Sequence, residues 1–143
     1  MLKEEISYQI RGAIFDVYNE LGPGLLESVY ERALMFEMKH RGLNLQNQVA
    51  FDVLYKGANL GIQQRIDILV NDQVVIEIKS VERLLPVHHK QLISYLKLMD
   101  KPLGILVNFN THVITDSIIR IANDPNHPEL KARAGNDFQN INQ

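Results

Sequence analysis

The sequence predicts an α/β protein: one mixed β-sheet flanked by helices, in the order ααβββαβ. Three observations carry this. Residues 3–41 keep the three-to-four spacing of amphipathic helices, broken once at Gly22-Pro23-Gly24. Residues 45–79 change to the period of two that marks strands. A helix opened by Pro86 is then followed by an almost purely apolar run, Leu103 to Phe109, which is how a crossover into a buried parallel strand reads.

The first helix is expected over residues 3–20, with Ile6, Ile10, Ile14, Val17 and Leu21 on one face. Glycine and proline at 22–24 end it. The second is expected from about Leu25 to Arg41, with Leu26, Val29, Tyr30, Ala33 and Phe36 as its apolar face and Gly42 as its stop. In the first strand Val49, Phe51, Val53 and Tyr55 alternate with polar neighbours, and Lys56-Gly57-Ala58-Asn59 turns the chain. The second strand carries Asp67 and the third carries Glu77 and Lys79. The next helix runs to about Met99 before Pro102, with Leu92, Ile93, Leu96 and Met99 as its stripe and His88, Gln91 and Tyr95 on one flank. Thr115 to Ala122 reads either as a short helix or as an edge strand. Residues 1–122 are expected to form a single domain, and the polar stretch 123–143 to be poorly ordered.

Composition excludes several classes. The chain of 143 residues is long enough for a real core, and 45% hydrophobic with 22% charged residues is an ordinary globular mix. Without cysteine there is no disulfide and no thiolate-held zinc. No apolar run has the length of a membrane span and the polar start is unlike a signal peptide, so a cytoplasmic location is expected. At a net charge of −2, any phosphate binding must come from a local patch.

The chemistry is concentrated in Arg65 to Val81. Asp67, Glu77 and Lys79 interrupt Ile/Val-rich runs that otherwise read as sheet centre. Charges in such places are costly unless paired or metal-bound, so these three are expected to meet. Two carboxylates and a lysine suit a hard cation beside a cationic stabiliser, the equipment of metal-assisted phosphodiester hydrolysis. The meeting imposes a register. A two-residue turn at Asn71-Asp72 would put Asp67 and Glu77 on opposite faces. A three-residue loop, Asn71-Asp72-Gln73, puts Asp67, Leu69, Val75, Glu77 and Lys79 on one face and Ile66, Ile68, Val70, Val74, Ile76 and Ile78 on the other.

Asp67 followed by Glu77-Ile78-Lys79 resembles the D…(D/E)xK signature of the PD-(D/E)XK nuclease superfamily. Gln91-x-x-x-Tyr95 is similar to the QxxxY motif of its RecB-like branch, and Gly24-Leu-Leu-Glu27-Ser-Val-Tyr30 to the pattern of its GxxExxY family. The likeness spans residues 5–122, and the order of the motifs is more specific than any one of them. Arg65-Ile66 precedes Asp67, so the proline of the superfamily name is missing.

The resemblance implies a restriction-endonuclease-like core and a nuclease acting on DNA, or less readily RNA. It implies Mg²⁺ or Mn²⁺ on Asp67 and Glu77, with Glu27 as a further direct or water-bridged ligand and the Ile78 carbonyl as another oxygen. Lys79 would orient water or stabilise charge, and Gln91 and Tyr95 would position phosphate or Lys79. Arg83, His88, His89 and Lys90 would form a cationic rim for substrate. Each also has a plainer reading: Glu27 as a dipole-favoured residue at the third helical position, Tyr30 as core, Gln91 and Tyr95 as a boundary pair, the two histidines as solvated. The rival from another class is a catalytically silent nucleic-acid-binding or protein-interaction module on the same fold. Oligomeric state is not legible.

Overall fold

The computed structural model describes residues 1–123. Helices α1 (Lys3–Leu21) and α2 (Glu27–His40) lead into strands β1 (Leu45–Tyr55), β2 (Ala58–Val70) and β3 (Val74–Lys79). Helix α3 (Pro86–Met99) crosses to β4 (Leu103–Asn108), and a 3₁₀ turn at Ile114–Ser117 precedes β5 (Ile118–Ala122). The sheet has the order β1-β2-β3-β4-β5; only β3 and β4 run parallel. The mixed sheet with flanking helices is the predicted α/β architecture. The last segment resolves into one helical turn followed by an edge strand.

Two cores sandwich the sheet. Ile6, Ile10 and Ile14 of α1 and Tyr30, Leu34 and Met38 of α2 pack on Ile68, Val70, Ile76 and Ile78. Leu92, Tyr95 and Leu96 of α3 pack on Leu69, Val75 and Leu106 from the other side. Gly104 permits the close approach of α3, since a Cβ there would lie 3.0 Å from Leu92 and Leu96. In α2 the buried stripe is Tyr30, Leu34 and Met38, spaced four apart; Leu26 and Phe36, expected inside, are 74% and 60% exposed. The helix starts two residues later than expected, so its phase is set by Tyr30 and not by Leu26.

The hairpin that carries the chemistry has the odd loop. Val70 pairs with Val74 and Ile68 with Ile76, and Asn71 and Asp72 take left-handed backbone with φ of 50° and 56°. One expectation fails. Ile66 packs in the α3 core and not beside Ile68. Across the ladder Val49 packs with Ile66 on that same side, although Leu45 packs on the α1/α2 side. Both strands therefore change sides at Gln48 and Asp67, where the ladder of paired residues is interrupted and Gln48 takes φ of 51°. The register is the same on either side of this point, so the two strands turn over together without an extra residue in either, and side chains that a regular pleat would hold in one plane are re-aimed.

Asn123, expected to begin a frayed stretch, is anchored. Its backbone N–H donates to the Pro102 carbonyl (2.8 Å) and its side-chain amide to the carbonyls of Leu96 and Lys101. The rest of the polar stretch lies outside the described residues.

Candidate metal centre

Asp67 and Glu77 stand opposite each other one position beyond the last paired residues, Ile68 and Ile76. Each carboxylate takes over a backbone donor of the other strand. The N–H of Asp67 donates to Glu77 Oε1 (3.0 Å), and the N–H of Ile78 donates to Asp67 Oδ2 (2.7 Å). Asp67 lines the cleft, and its Oδ1 lies 3.4 Å from the Gln48 amide nitrogen, whereas Glu77 is buried behind it. Burial, then the charge of Asp67, push the Glu77 carboxyl up to about 8. Burial also raises Asp67, against the Ile78 N–H and the charge of Lys79. At neutral pH the metal-free Glu77 carboxyl therefore keeps its proton.

The other predicted residues are distributed unevenly. Lys79 acts electrostatically on both carboxylates, favouring their charged forms, and Glu27 acts on both in the opposite sense. Glu27 is the first residue of α2, not the third, and its Oε1 accepts the Ser80 N–H (3.4 Å). The Ser80 hydroxyl donates to the Leu25 carbonyl (2.6 Å), tying the start of α2 to the end of β3. Tyr30 is fully buried, as its plainer reading had it: its hydroxyl donates to the Gly22 carbonyl (2.5 Å) and accepts the Leu25 N–H (3.1 Å). Its ring stacks on Phe109 at 4.4 Å.

His88 lies within electrostatic reach of Lys79 and Glu27, and its Nδ1 accepts the Leu85 N–H (3.0 Å). Burial and the Lys79 charge hold its pKa low. Tyr95 feels Glu77 and Asp67, but its hydroxyl donates to Gln64 Oε1 (3.0 Å). Gln91 is exposed on α3. Arg83 and Lys90 are exposed too, and neither lines the cleft. His89, expected in solvent, is fully buried.

The cleft itself, about 560 Å³, is lined by Leu25, Leu26, Glu27, Ser28, Glu31, Gln48, Asp67 and Ser80. Four polar residues among these were not singled out from sequence: Ser28, Glu31, Gln48 and Ser80. Glu31 follows Glu27 by four residues, a spacing that places both on one side of a helix and was readable. Gln48 looked like an ordinary outward member of an alternating strand, and nothing local marked Ser80.

Among the described residues no three His, Asp or Glu side chains converge as a ready metal cage. The donor set is a carboxylate pair. That fits Mg²⁺ or Mn²⁺, which take one or two carboxylates and complete their shells with water and substrate phosphate.

Residues 4–121 match the PD-(D/E)XK nuclease superfamily, and the chain belongs to it. Among solved structures it is similar to one described as "Crystal structure of SSO0001", with 26% identity and a TM-score of 0.49, covering 82% of this chain and 59% of that one. The chain thus spans under two thirds of that structure's length, and at this TM-score the likeness carries no argument. Comparison with curated proteins finds no match. Among the described residues no helix is long and apolar enough to cross a membrane.

Proposed function

We propose that this protein is a divalent-metal-dependent nuclease that hydrolyses phosphodiester bonds in nucleic acid, with DNA ahead of RNA as substrate. The observation that carries the reading is the Asp67–Glu77 pair: two facing carboxylates at the end of a ladder, with Glu77 raised to about 8 by burial and by its neighbour's charge. Membership of the superfamily supports the same reading.

Asp67 and Glu77 would hold Mg²⁺ or Mn²⁺, with Glu27 within electrostatic range as a direct or water-bridged third ligand. The ion would neutralise the scissile phosphate and acidify a water. Lys79, whose charge already acts on both carboxylates, would stabilise the negative charge that develops on the phosphoryl oxygens. His88, beside Lys79 and Glu27, is held with Nδ1 as an acceptor, so in its neutral form Nε2 carries the proton and is suited to donate to a phosphate. Gln91 and Tyr95 would act from α3, and Arg83 and Lys90 would meet the nucleic acid outside the cleft.

The test is cleavage of labelled single- and double-stranded DNA and RNA with Mg²⁺ or Mn²⁺, beside Asp67→Ala. Metal-dependent cleavage lost in the variant supports the reading. No cleavage of any of the four by the wild-type chain, together with no metal binding, leaves the silent binding module in its place.

A further inference from the structure

We propose that Gln48 is a positioning residue for the candidate metal centre: its amide bridges Glu31 and Asp67 and fixes the direction in which Asp67 presents its cleft-facing oxygen. This rests on the metal-dependent reading above.

Three observations lead there. Gln48 has left-handed backbone, φ 51°, inside an eleven-residue strand. Such backbone is unfavourable for a residue with a Cβ and persists where the surroundings demand it, often at functional sites. Secondly, Gln48 is the residue of β1 across from Asp67, at the point where β1 and β2 change sides. Thirdly, its Nε2 lies 2.6 Å from Glu31 Oε1 and 3.4 Å from Asp67 Oδ1. Both neighbours are carboxylate oxygens, which only accept, so the nitrogen end of the amide is the end that faces them. Its two N–H groups serve one carboxylate each.

The consequence is a fixed geometry for Asp67. The Ile78 N–H holds Oδ2 at 2.7 Å, and the amide of Gln48, a solvent-exposed residue, approaches Oδ1 more loosely at 3.4 Å, so the carboxylate is contacted from both sides. Glu31, 8% exposed on α2, is the post to which the amide is tied. Glu31 therefore acts on Asp67 through Gln48. Groups that orient a metal ligand in this way are worth about ten- to a hundredfold in metal affinity.

The experiment measures the Mn²⁺ dissociation constant of the full chain by calorimetry, with melting temperature as the control for folding. Gln48→Gly keeps the left-handed backbone without strain and removes the whole side chain, amide included. It is expected to melt close to wild type and to bind Mn²⁺ roughly ten- to a hundredfold more weakly. Glu31→Gln, which keeps an oxygen for the amide, is expected to bind like wild type. Glu31→Ala is expected to weaken binding alone but not further in the Gln48→Gly background, the sign that both act through one bridge. Glu31→Ala also reads the bridge if Gln48→Gly does not fold. Wild-type affinity in both Gln48→Gly and Glu31→Ala overturns the proposal and leaves the metal centre standing. Failure of the wild-type chain to bind Mn²⁺ overturns both.

Discussion

Asp67 and Glu77 are joined through each other's strands: each carboxylate accepts a backbone N–H across the gap where the β2–β3 ladder stops. The two acids thus take the place of the next ladder rung. That gives the pair a structural anchor, and it leads to the first expectation.

Mg²⁺ or Mn²⁺ at millimolar concentration should raise the melting temperature. A ligand at a hundred times its dissociation constant stabilises by about 2.7 kcal/mol, which is several degrees for a chain of this size. Asp67→Ala should abolish the rise. A melting curve indifferent to both ions argues against any metal on this pair.

The pH dependence has a definite sign. Glu77 moves from its ordinary value of 4.5 to about 8 on folding, and Asp67 shifts upward as well. Between those pH values the unfolded chain releases a proton that the folded, metal-free chain keeps. The Glu77 contribution to stability is therefore complete at low pH and is lost as pH rises through the folded value. A divalent cation favours the deprotonated pair, so its effect runs the other way. The stabilisation by Mg²⁺ should grow from about pH 6 to about pH 9, with protons released on binding. Scanning fluorimetry across that range, with and without Mg²⁺, measures it; a metal increment that shrinks with pH contradicts the assignment.

Lys79→Ala should leave the fold and metal affinity nearly unchanged and lower the cleavage rate by about a hundredfold or more. Lys79→Arg should not restore it, because the guanidinium fork differs in shape and reach. Single-turnover kinetics with metal affinity measured in parallel separates the two effects. Wild-type rates in the alanine variant remove Lys79 from the mechanism.

Tyr30→Phe keeps the stack on Phe109 and removes both hydrogen bonds to the Gly22–Leu25 loop. The Leu25 N–H loses its acceptor and the Gly22 carbonyl its donor, so a loss of about 1–3 kcal/mol is expected in chemical denaturation. Because this loop leads into Glu27, the variant should also weaken metal binding if Glu27 is a ligand. A change in stability with unaltered metal affinity makes Tyr30 purely a core residue.

The secondary structure was legible because it is local. Alternation over 45–79, the Pro86 start of α3 and the apolar run at 103–108 each reflect one strand or helix burying one side. The odd loop at Asn71–Gln73 was legible too, since a period of two admits one register that places Asp67 with Glu77 and Val70 with Val74. The start of α2 was less so: Leu26 and Phe36 suit a helical stripe as well as Leu34 and Met38 do, and only packing against α1 and the sheet selects between them.

What no local pattern carries is the meeting of β1 with β2 at Gln48 and Asp67. There the strands change sides together, moving Ile66 to the α3 core and bringing Gln48, Glu31 and Asp67 onto one cleft. Sequence by itself determined which residue types this protein has for metal chemistry and on which strands they lie. Tertiary structure decided which of them meet, because the turning over of two paired strands and a contact between residues 17 positions apart, such as Glu31 and Gln48, depend on packing between elements rather than on the order of residues within one.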